Sequence, residues 1–387
     1  MSQRPLEKLE TYVLTVIEDR RPGRGAAFLS WLLKQLSYLY GAIVQTRVWL
    51  YARGIFRHHQ LGCQVISIGN LTVGGTGKTP VVEVFARSLQ RQNRKVAILS
   101  RGYKRHEPSF LKRLVDRVTF RHQKQPPLVV SDGRHLLLDS DVSGDEPYML
   151  ASNLPNVVVV VDKNRVKAGQ YAISKLGCDT LILDDGFQYL PLKHRIDVVL
   201  VDRTNPFGNR KLLPRGILRE PIRNIKRASF ILVTKSSGDG AEELKKNLRE
   251  LNPHAEISEC RHSAKHLQDV YTGKRQDLAF LKDRGIAAIS GIAAPKGFED
   301  ELIRLGAKVL YHKRYTDHHR YTQQEILNVI NKGLNRGAEI IITTEKDAVR
   351  FPMIERRDLP ICFMRVEIEL LSGAEDFHAC ISRICFK

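Results

Sequence analysis

Cysteine is scarce in this chain and is not arranged for chemistry. Cys63, Cys178, Cys260, Cys362, Cys380 and Cys385 form no C-x-x-C pair and share no regular spacing. That pattern excludes a zinc ribbon and a disulfide framework and points to reduced, packed thiols in a cytosolic protein. No uninterrupted run of about 18 apolar residues occurs, so no segment has the form of a transmembrane span. The first twenty residues carry Glu7, Glu10, Glu18 and Asp19 ahead of any long apolar stretch, which does not suit a signal peptide. There are no internal repeats and no low-complexity tract. Acidic residues are the other shortage: 62 Lys and Arg stand against 42 Asp and Glu, a net charge of +20. Such a balance favours something acidic, whether nucleic acid, an anionic bilayer or a phosphorylated substrate.

What is present is globular in type, with 42% hydrophobic and 27% charged residues over 387 positions, room for two domains and a substantial core. Residues 1–20 have the pattern of a short amphipathic helix ending at Arg21, Pro22 and Gly23. Between 21 and 60 there are six Lys or Arg and no Asp or Glu. Within that span Ser30, Lys34, Ser37, Gly41 and Gln45 trace a narrow polar stripe on an otherwise apolar helix that includes Trp31, Leu36, Leu39 and Ile43. With Tyr38, Tyr40, Trp49 and Tyr51 this fits a helix lying in a membrane interface; packing on the protein's own core is the other reading. Aromatic and basic residues do not interleave outside this helix, so no nucleic-acid partner is expected. Nothing in the sequence points to an obligate protein partner.

The centre of the chain is residues 65–80, V-I-S-I-G-N-L-T-V-G-G-T-G-K-T-P. A β-branched run stops at a glycine-rich loop, and a Lys-Thr pair opens a helical pattern over 80–89. This is the order of a phosphate-binding loop. Thr72, Val73, Gly74, Gly75, Thr76 and Gly77 cradle phosphate through backbone N–H groups, Lys78 adds a point charge, and the Thr79 hydroxyl suits Mg²⁺. The expected ligand is a nucleoside triphosphate with its metal. The standard spacing puts glycine where this chain has Thr72.

Further strands are expected at 95–100, 128–130, 157–161, 180–183, 196–201 and 230–233, with a helix over 164–176, and a basic excursion at 104–127. Gly144, Asp145, Glu146 and Pro147 open another helix. After a linker at 236–240 comes a second α/β unit, with strands at 286–290, 309–311 and 339–343 and helices at 295–305 and 322–334. A final strand at 361–370 and a helix at 375–384 are placed to cross back to the first domain. Continuous apolar strands alternating with helices predict a parallel sheet covered on both faces, with ligands at the strands' carboxyl ends.

Phosphoryl transfer needs a cradle, a metal held by hydroxyl and carboxylates, a base and cations. Asp184 and Asp185 follow four apolar residues, the form of a Walker B strand end. Asp145 and Glu146 supply a candidate base or a second metal carboxylate. Asp317 beside His318 is a candidate Asp-oriented imidazole. Arg215, Arg219 and Glu220 form a basic loop with one acid.

Together the loop at 69–80, Ser100-Arg101-Gly102-Tyr103, Gly144-Asp145-Glu146-Pro147, Asp184-Asp185-Gly186-Phe187-Gln188, the 213–221 segment, Asp317-His318-His319 and Thr344-Glu345-Lys346-Asp347 resemble the tetraacyldisaccharide 4'-kinase family of lipid A biosynthesis. That family's loop carries Thr or Ser at the position of Thr72. The resemblance implies transfer of the ATP γ-phosphate, with Mg²⁺, to the 4'-hydroxyl of an acylated glucosamine disaccharide 1-phosphate at the cytoplasmic face of the bacterial inner membrane. By residue it implies Asp145 and His318, with Lys78, as catalytic; Thr79, Asp184, Asp185 and Glu220 near the metal; and Arg101, Glu146, Gln188, Arg215 and Arg219 as substrate-binding candidates. It implies a P-loop NTPase-like α/β/α sandwich, a second smaller α/β/α domain, a two-stranded linker and an N-terminal helix on the bilayer. The expected divisions are 1–60 for the interface region, 61–235 for the kinase core, 236–358 for the second domain and 359–387 for the returning strand and helix. The competing reading is a P-loop GTPase or metallochaperone-type switch, motivated by Val233-Thr234-Lys235; Ser237, where an Asp is wanted, counts against it.

Overall fold

The computed structural model describes residues 12–13, 15–17, 19, 23–102 and 125–385. The helix expected over 1–20 and the excursion expected over 104–127 lie for the most part outside these residues. From residue 23 onward the chain runs through helix α1 (Arg24–Ala52), strand β1 (Gln64–Asn70) and helix α2 (Lys78–Arg91). Then come β2 (Val96–Ser100), β3 (Leu128–Asp132), α3 (Ser140–Ser143), α4 (Asp145–Asn153), β4 (Val158–Val161), α5 (Arg165–Leu176), β5 (Thr180–Asp184), β6 (Ile196–Asp202) and β7 (Phe230–Thr234). The remainder is α6 (Glu242–Leu251), β8 (Glu256–Asp269), β9 (Arg275–Gln276), β10 (Gly285–Ser290), α7 (Pro295–Arg304), β11 (Lys308–Arg314), α8 (Gln323–Leu334), β12 (Ile340–Thr344), α9 (Glu345–Ala348), β13 (Ile361–Ser372) and α10 (Ala374–Cys385).

Local chemistry sets many of these boundaries. The Asn164 side chain accepts from the Lys167 N–H to start α5, and Gly177 ends it with φ 69°. Thr322 and Glu325 form a reciprocal capping box at the start of α8. Four of the expected apolar strands are buried along their length: every residue of β2, β4, β5 and β7 is buried.

Two compact units divide the chain: Met1–Lys78, Thr180–Arg261 and Leu370–Lys387 make the first, Thr79–Asp179 and His262–Glu369 the second. In the first, β1 lies between β5 and β6, β6 pairs with β7 and β7 with the start of β8, all parallel. Val199, Val201, Ile231, Val233, Phe187 and Leu218 form the core on one face of these strands. In the second, β2 and β4 are parallel while β3 runs antiparallel to β4. A separate parallel set places β10 between β11 and β12, with β13 beyond β12. The two stretches of this unit meet where α4 packs on α9 and Ser140 Oγ donates to the Val349 carbonyl at 2.9 Å. The α/β class expected from the sequence is therefore found, with β3 on β4 and β9 on β8 as antiparallel exceptions to the expected parallel sheet. Antiparallel edge strands on otherwise parallel sheets are common.

Helix α1 separates the two readings of its apolar face. Its polar stripe faces the first unit: Ser37 Oγ donates to the Leu212 carbonyl (2.7 Å), Tyr40 Oη to the Arg219 carbonyl (2.9 Å) and Gln45 Nε2 to Asn224 Oδ1 (3.0 Å). Phe28, Trp31, Leu36, Tyr38, Leu39, Ile43 and Trp49 stay exposed. Among the described residues the protein's own core does not cover that apolar face. Among the described residues no helix is long and apolar enough to cross a membrane.

Candidate active site

In the first unit, β1 delivers buried Asn70 to the loop at 72–77, and α2 begins at Lys78. Gly74 and Gly77 have φ 114° and 79°, backbone that favours glycine. A Cβ built on Gly74 or Gly75 meets nothing within 4 Å, so open space adjoins the loop. The loop is held from behind: Val73 N–H donates to the Ile217 carbonyl (2.8 Å), and Thr234 Oγ1 donates to the Thr76 carbonyl (3.1 Å). The Thr76 hydroxyl is buried and has no partner among the described residues.

Lys78 Nζ donates to Asn70 Oδ1 at 3.2 Å and lies 3.5 Å from Asp185 Oδ1. Asp184 closes β5 and is buried; Asp185 follows with φ 55°. A non-glycine residue held there is strained backbone of the kind that collects at functional sites. Arg219 Nη1 donates to both Asp185 oxygens, at 2.8 and 2.7 Å. Gln188 Nε2 donates to the Asn70 carbonyl (3.0 Å) while its Oε1 is buried without a partner among the described residues. Asn70, which the motif alone assigns no role, touches both Lys78 and Gln188.

Glu220 and Arg215 are occupied elsewhere in the first unit. Glu220 is buried, accepting from Asn224 Nδ2 (2.6 Å) and from Arg227 on both oxygens (3.0 and 2.9 Å). Arg227 stacks 4.1 Å from the Phe187 ring centroid. The Arg215 guanidinium is turned to the N-terminal region, donating to Ser30 Oγ and the Ile17 carbonyl, both at 3.0 Å, and to Asp19. Lys235 pairs with Asp202, and Ser237 accepts from Arg203.

In the second unit, Thr79 lies in the first turn of α2 and Arg101 is exposed just after β2. Asp145 opens α4. Its Oδ2 accepts from Arg350 Nε at 2.8 Å and from His318 Nδ1 at 3.1 Å, and Arg320 Nη2 reaches Oδ1 at 3.4 Å. Burial alone would push the Asp145 carboxyl up; the His318 hydrogen bond and the Arg350 and Arg320 cations outweigh it and hold the carboxyl below its ordinary range. His318 has φ 65°, and its N–H donates to the Gly291 carbonyl (3.2 Å). The carboxylate on its Nδ1 is Asp145; Asp317, the expected orienting acid, stands 3.8 Å from Nε2. His319 instead accompanies the capping box, 3.1 Å from Glu325, and stacks on Tyr315 at 4.4 Å. Glu146 lies 3.4 Å from Lys346 Nζ. Arg350, Arg320 and Lys346 were given no role from sequence; the one signal for Arg350 is its place one helical turn beyond Asp347.

The first unit fits a phosphate with a hard metal ion. It offers a helix start, open glycines, an orphaned hydroxyl, a lysine and an adjacent pair of carboxylates. Among the described residues no three His, Cys, Asp or Glu gather as an all-protein metal cage. Magnesium on a triphosphate needs only one or two carboxylates besides phosphate oxygens.

The family model for tetraacyldisaccharide-1-P 4'-kinase matches residues 29–385. A tetraacyldisaccharide 4'-kinase of Halothermothrix orenii is 34% identical over 357 residues, covering 89% of each chain. One from Syntrophus aciditrophicus is 36% identical over 362 residues, covering 91% of this chain and 92% of its own. The crystal structure of "apo" form LpxK from Aquifex aeolicus in complex with ATP superposes with a TM-score of 0.71 at 29% identity, covering 92% of this chain and 100% of that one. By this match along nearly its whole length, the chain belongs to the tetraacyldisaccharide 4'-kinase family.

Proposed function

We propose that this chain is a kinase that moves the γ-phosphate of ATP to the 4'-hydroxyl of a tetraacylated glucosamine disaccharide 1-phosphate, forming lipid IVA. The observation that carries the reading is the meeting of Asp145 and His318 at 3.1 Å in a chain that also has the family's phosphate loop. ATP as donor is supported by the Aquifex aeolicus relative, solved with ATP.

The loop at 72–77 binds the donor phosphates through backbone N–H groups, and Lys78 adds a positive charge against the transferring group. Thr79, Asp184 and Asp185 would supply oxygen ligands to Mg²⁺, and Glu220, itself paired with Arg227, would add negative charge to the surrounding set. When bound, Mg²⁺ neutralises charge on the phosphate oxygens. The acceptor hydroxyl gives its proton to Asp145 Oδ1, whose one hydrogen bond among the described residues is the 3.4 Å contact from Arg320. Oδ2 is already taken by Arg350 and His318. The lowered carboxyl stays ionised near neutral pH and so can accept a proton there. Arg101, Glu146, Gln188 and Arg219 are the remaining candidates for substrate contact. Arg215, engaged with Ser30, supports α1 in this structure.

The acceptor's four acyl chains hold it in a bilayer, since each buried CH₂ contributes about 0.8 kcal/mol. The exposed apolar face of α1, with Lys34 and Arg47 on the same helix and Arg53 just past its end, is the part of the chain suited to meet it at the cytoplasmic face of the inner membrane.

The test supplies purified chain with γ-labelled ATP, Mg²⁺ and the acylated disaccharide 1-phosphate, and separates lipids by thin-layer chromatography. Label should appear on the disaccharide and vanish with Lys78→Ala or Asp145→Ala. Normal transfer by both variants, or none by the unsubstituted chain, would end the reading.

A further inference from the structure

The motif Thr344-Glu345-Lys346-Asp347 has no part in the reaction as described, yet the second unit builds a buried network on it. The Asp347 side chain is fully buried. Its Oδ2 accepts from Thr344 Oγ1 (2.6 Å) and the Gly291 N–H (3.1 Å), and its Oδ1 from Tyr321 Oη (2.9 Å) and Arg350 Nη1 (3.3 Å). Arg350 is also fully buried, and its Nη1 reaches the Gly291 carbonyl at 3.3 Å. Thus Asp347 and Gly291 fix the guanidinium plane on one side. On the other, Nε and Nη2 both stand 2.8 Å from Asp145 Oδ2.

Lys346, next to Asp347 in the chain, lies on the far side of the imidazole. Its Nζ is 3.4 Å from His318 Nε2, 3.4 Å from Glu146 and 4.0 Å from Asp317. An ammonium only donates, so Nε2 must accept. The ring proton then sits on Nδ1 and is donated to Asp145. Arg350 Nη2, 3.2 Å from Nδ1, has the Asp145 carboxylate as its acceptor. Arg320 on Asp145 Oδ1 and Asp317 near His318 Nε2 are further charged groups around the pair.

We propose that Arg350, seated on Asp347, and Lys346 are positioning residues: they form a clamp that fixes the Asp145 carboxylate and holds the His318 imidazole as its Nδ1–H tautomer. The two arms differ. Arg350 sets where the carboxylate points, whereas Lys346 decides which ring nitrogen carries the proton. The clamp deepens the kinase reading, since it assigns roles around the same pair.

The experiment uses full-length chain labelled with ¹⁵N-histidine, the His318 signals being assigned by their loss in His318→Gln. In the unsubstituted chain the His318 ring is expected as the Nδ1–H tautomer. Lys346→Met should convert it to a mixture of tautomers. Asp347→Asn and Arg350→Met should lower kcat about 10- to 100-fold, the cost of a small misplacement of a reacting group. KM for ATP should stay within about twofold, and Arg350→Lys should recover part of kcat because it restores the charge without the fork. Lys346 is part-exposed, so its variant serves where the buried substitutions do not fold. The imidazole spectrum needs no substrate. An inactive unsubstituted chain whose ring still changes tautomer in Lys346→Met ends the kinase reading and leaves the clamp. An active chain whose Lys346→Met ring and kcat are both unchanged ends the clamp.

Discussion

Oδ2 of Asp145 and Nδ1 of His318 meet at 3.1 Å across 173 positions of sequence. The contact joins the start of α4 to a loop residue held at positive φ, and it bears on both activity and stability. A carboxylate whose native pKa is depressed contributes stability that is fully present above its unfolded value, near ~3.9, and is lost as pH falls through the native value. The Asp145 carboxyl is such a group. Thermal melts across an acid titration should therefore show unsubstituted chain losing stability on the acid side more steeply than Asp145→Asn. In the transfer assay Asp145→Asn should lower kcat by about 10²- to 10⁴-fold, the usual worth of a positioned base. Equal acid slopes for the two proteins would contradict the ionised native carboxylate.

The phosphate loop separates folding from binding. A Cβ at Gly74 has open space around it, but φ 114° is strained for alanine, at about 1–3 kcal/mol. Gly74→Ala should fold, relax the loop and bind ATP at least about tenfold more weakly by calorimetry, a tenfold change being about 1.4 kcal/mol. Among the described residues Lys78→Ala removes contacts to Asn70 and Asp185. Its melting temperature should stay close to that of the unsubstituted chain while kcat falls by at least about 10²-fold.

Much of the first unit was legible in the sequence because its strands are apolar runs closed by glycine or aspartate, as in Leu181, Ile182, Leu183 and Asp184. α6 and β8 were not, and the reason lies in what they bury. α6 covers only Lys245 and Leu248, and β8 buries Ser258 and Glu259 beside Ile257 and Cys260. Lys245 and Glu259 form a buried ion pair at 2.7 Å, so a charged pattern there marks an interior and not a surface. In the candidate site, motif spacing singled out Asp145, Asp185 and His318. Arg350 and Asp347 act through side-chain geometry formed only when 145, 291, 318 and 321 converge, and no local pattern encodes that convergence. The antiparallel direction of β3 is likewise invisible in an apolar run that fits either ladder.

Arg365 is the buried cation between two acids. Its Nη1 donates to both Glu345 oxygens, at 2.7 and 2.8 Å, and its Nη2 to Glu83. Removing it leaves Glu345 without a cation among the described residues and Glu83 with Arg87 alone, so Arg365→Met should lower unfolding free energy by about 3–5 kcal/mol in denaturant titration. Glu83 behaves differently: burial pushes its carboxyl up, and Arg365 and Arg87 only partly bring it down. A carboxyl raised on folding gives stability that is present below its unfolded value and is lost as pH rises through the native one. Glu83→Gln should thus cost far less than Arg365→Met at neutral pH, and less again as pH rises. Comparable losses for the two would mean that the ion pair is not organised around the arginine.

The exposed face of α1 makes a prediction about where the chain goes in a mixture of water and lipid. Trp31 is 56% and Leu39 61% exposed, while Ser37 beside them is bound to the Leu212 carbonyl. Replacing Trp31 and Leu39 by serine should leave the helix docked through its polar stripe and leave the melting temperature close to its starting value. A large apolar side chain contributes about 1.5–3 kcal/mol when fully buried. The double substitution should therefore lower co-sedimentation with anionic vesicles by at least about tenfold per side chain removed, tenfold being about 1.4 kcal/mol. Raising salt should weaken vesicle binding of the unsubstituted chain too, since each Lys or Arg near an anionic surface contributes about 1 kcal/mol that ions screen. Transfer to acceptor dispersed in detergent should be unaffected, because the substitutions change access to the bilayer and not the residues around Lys78 or Asp145. Undiminished vesicle binding by the double variant would show that this face serves something other than lipid.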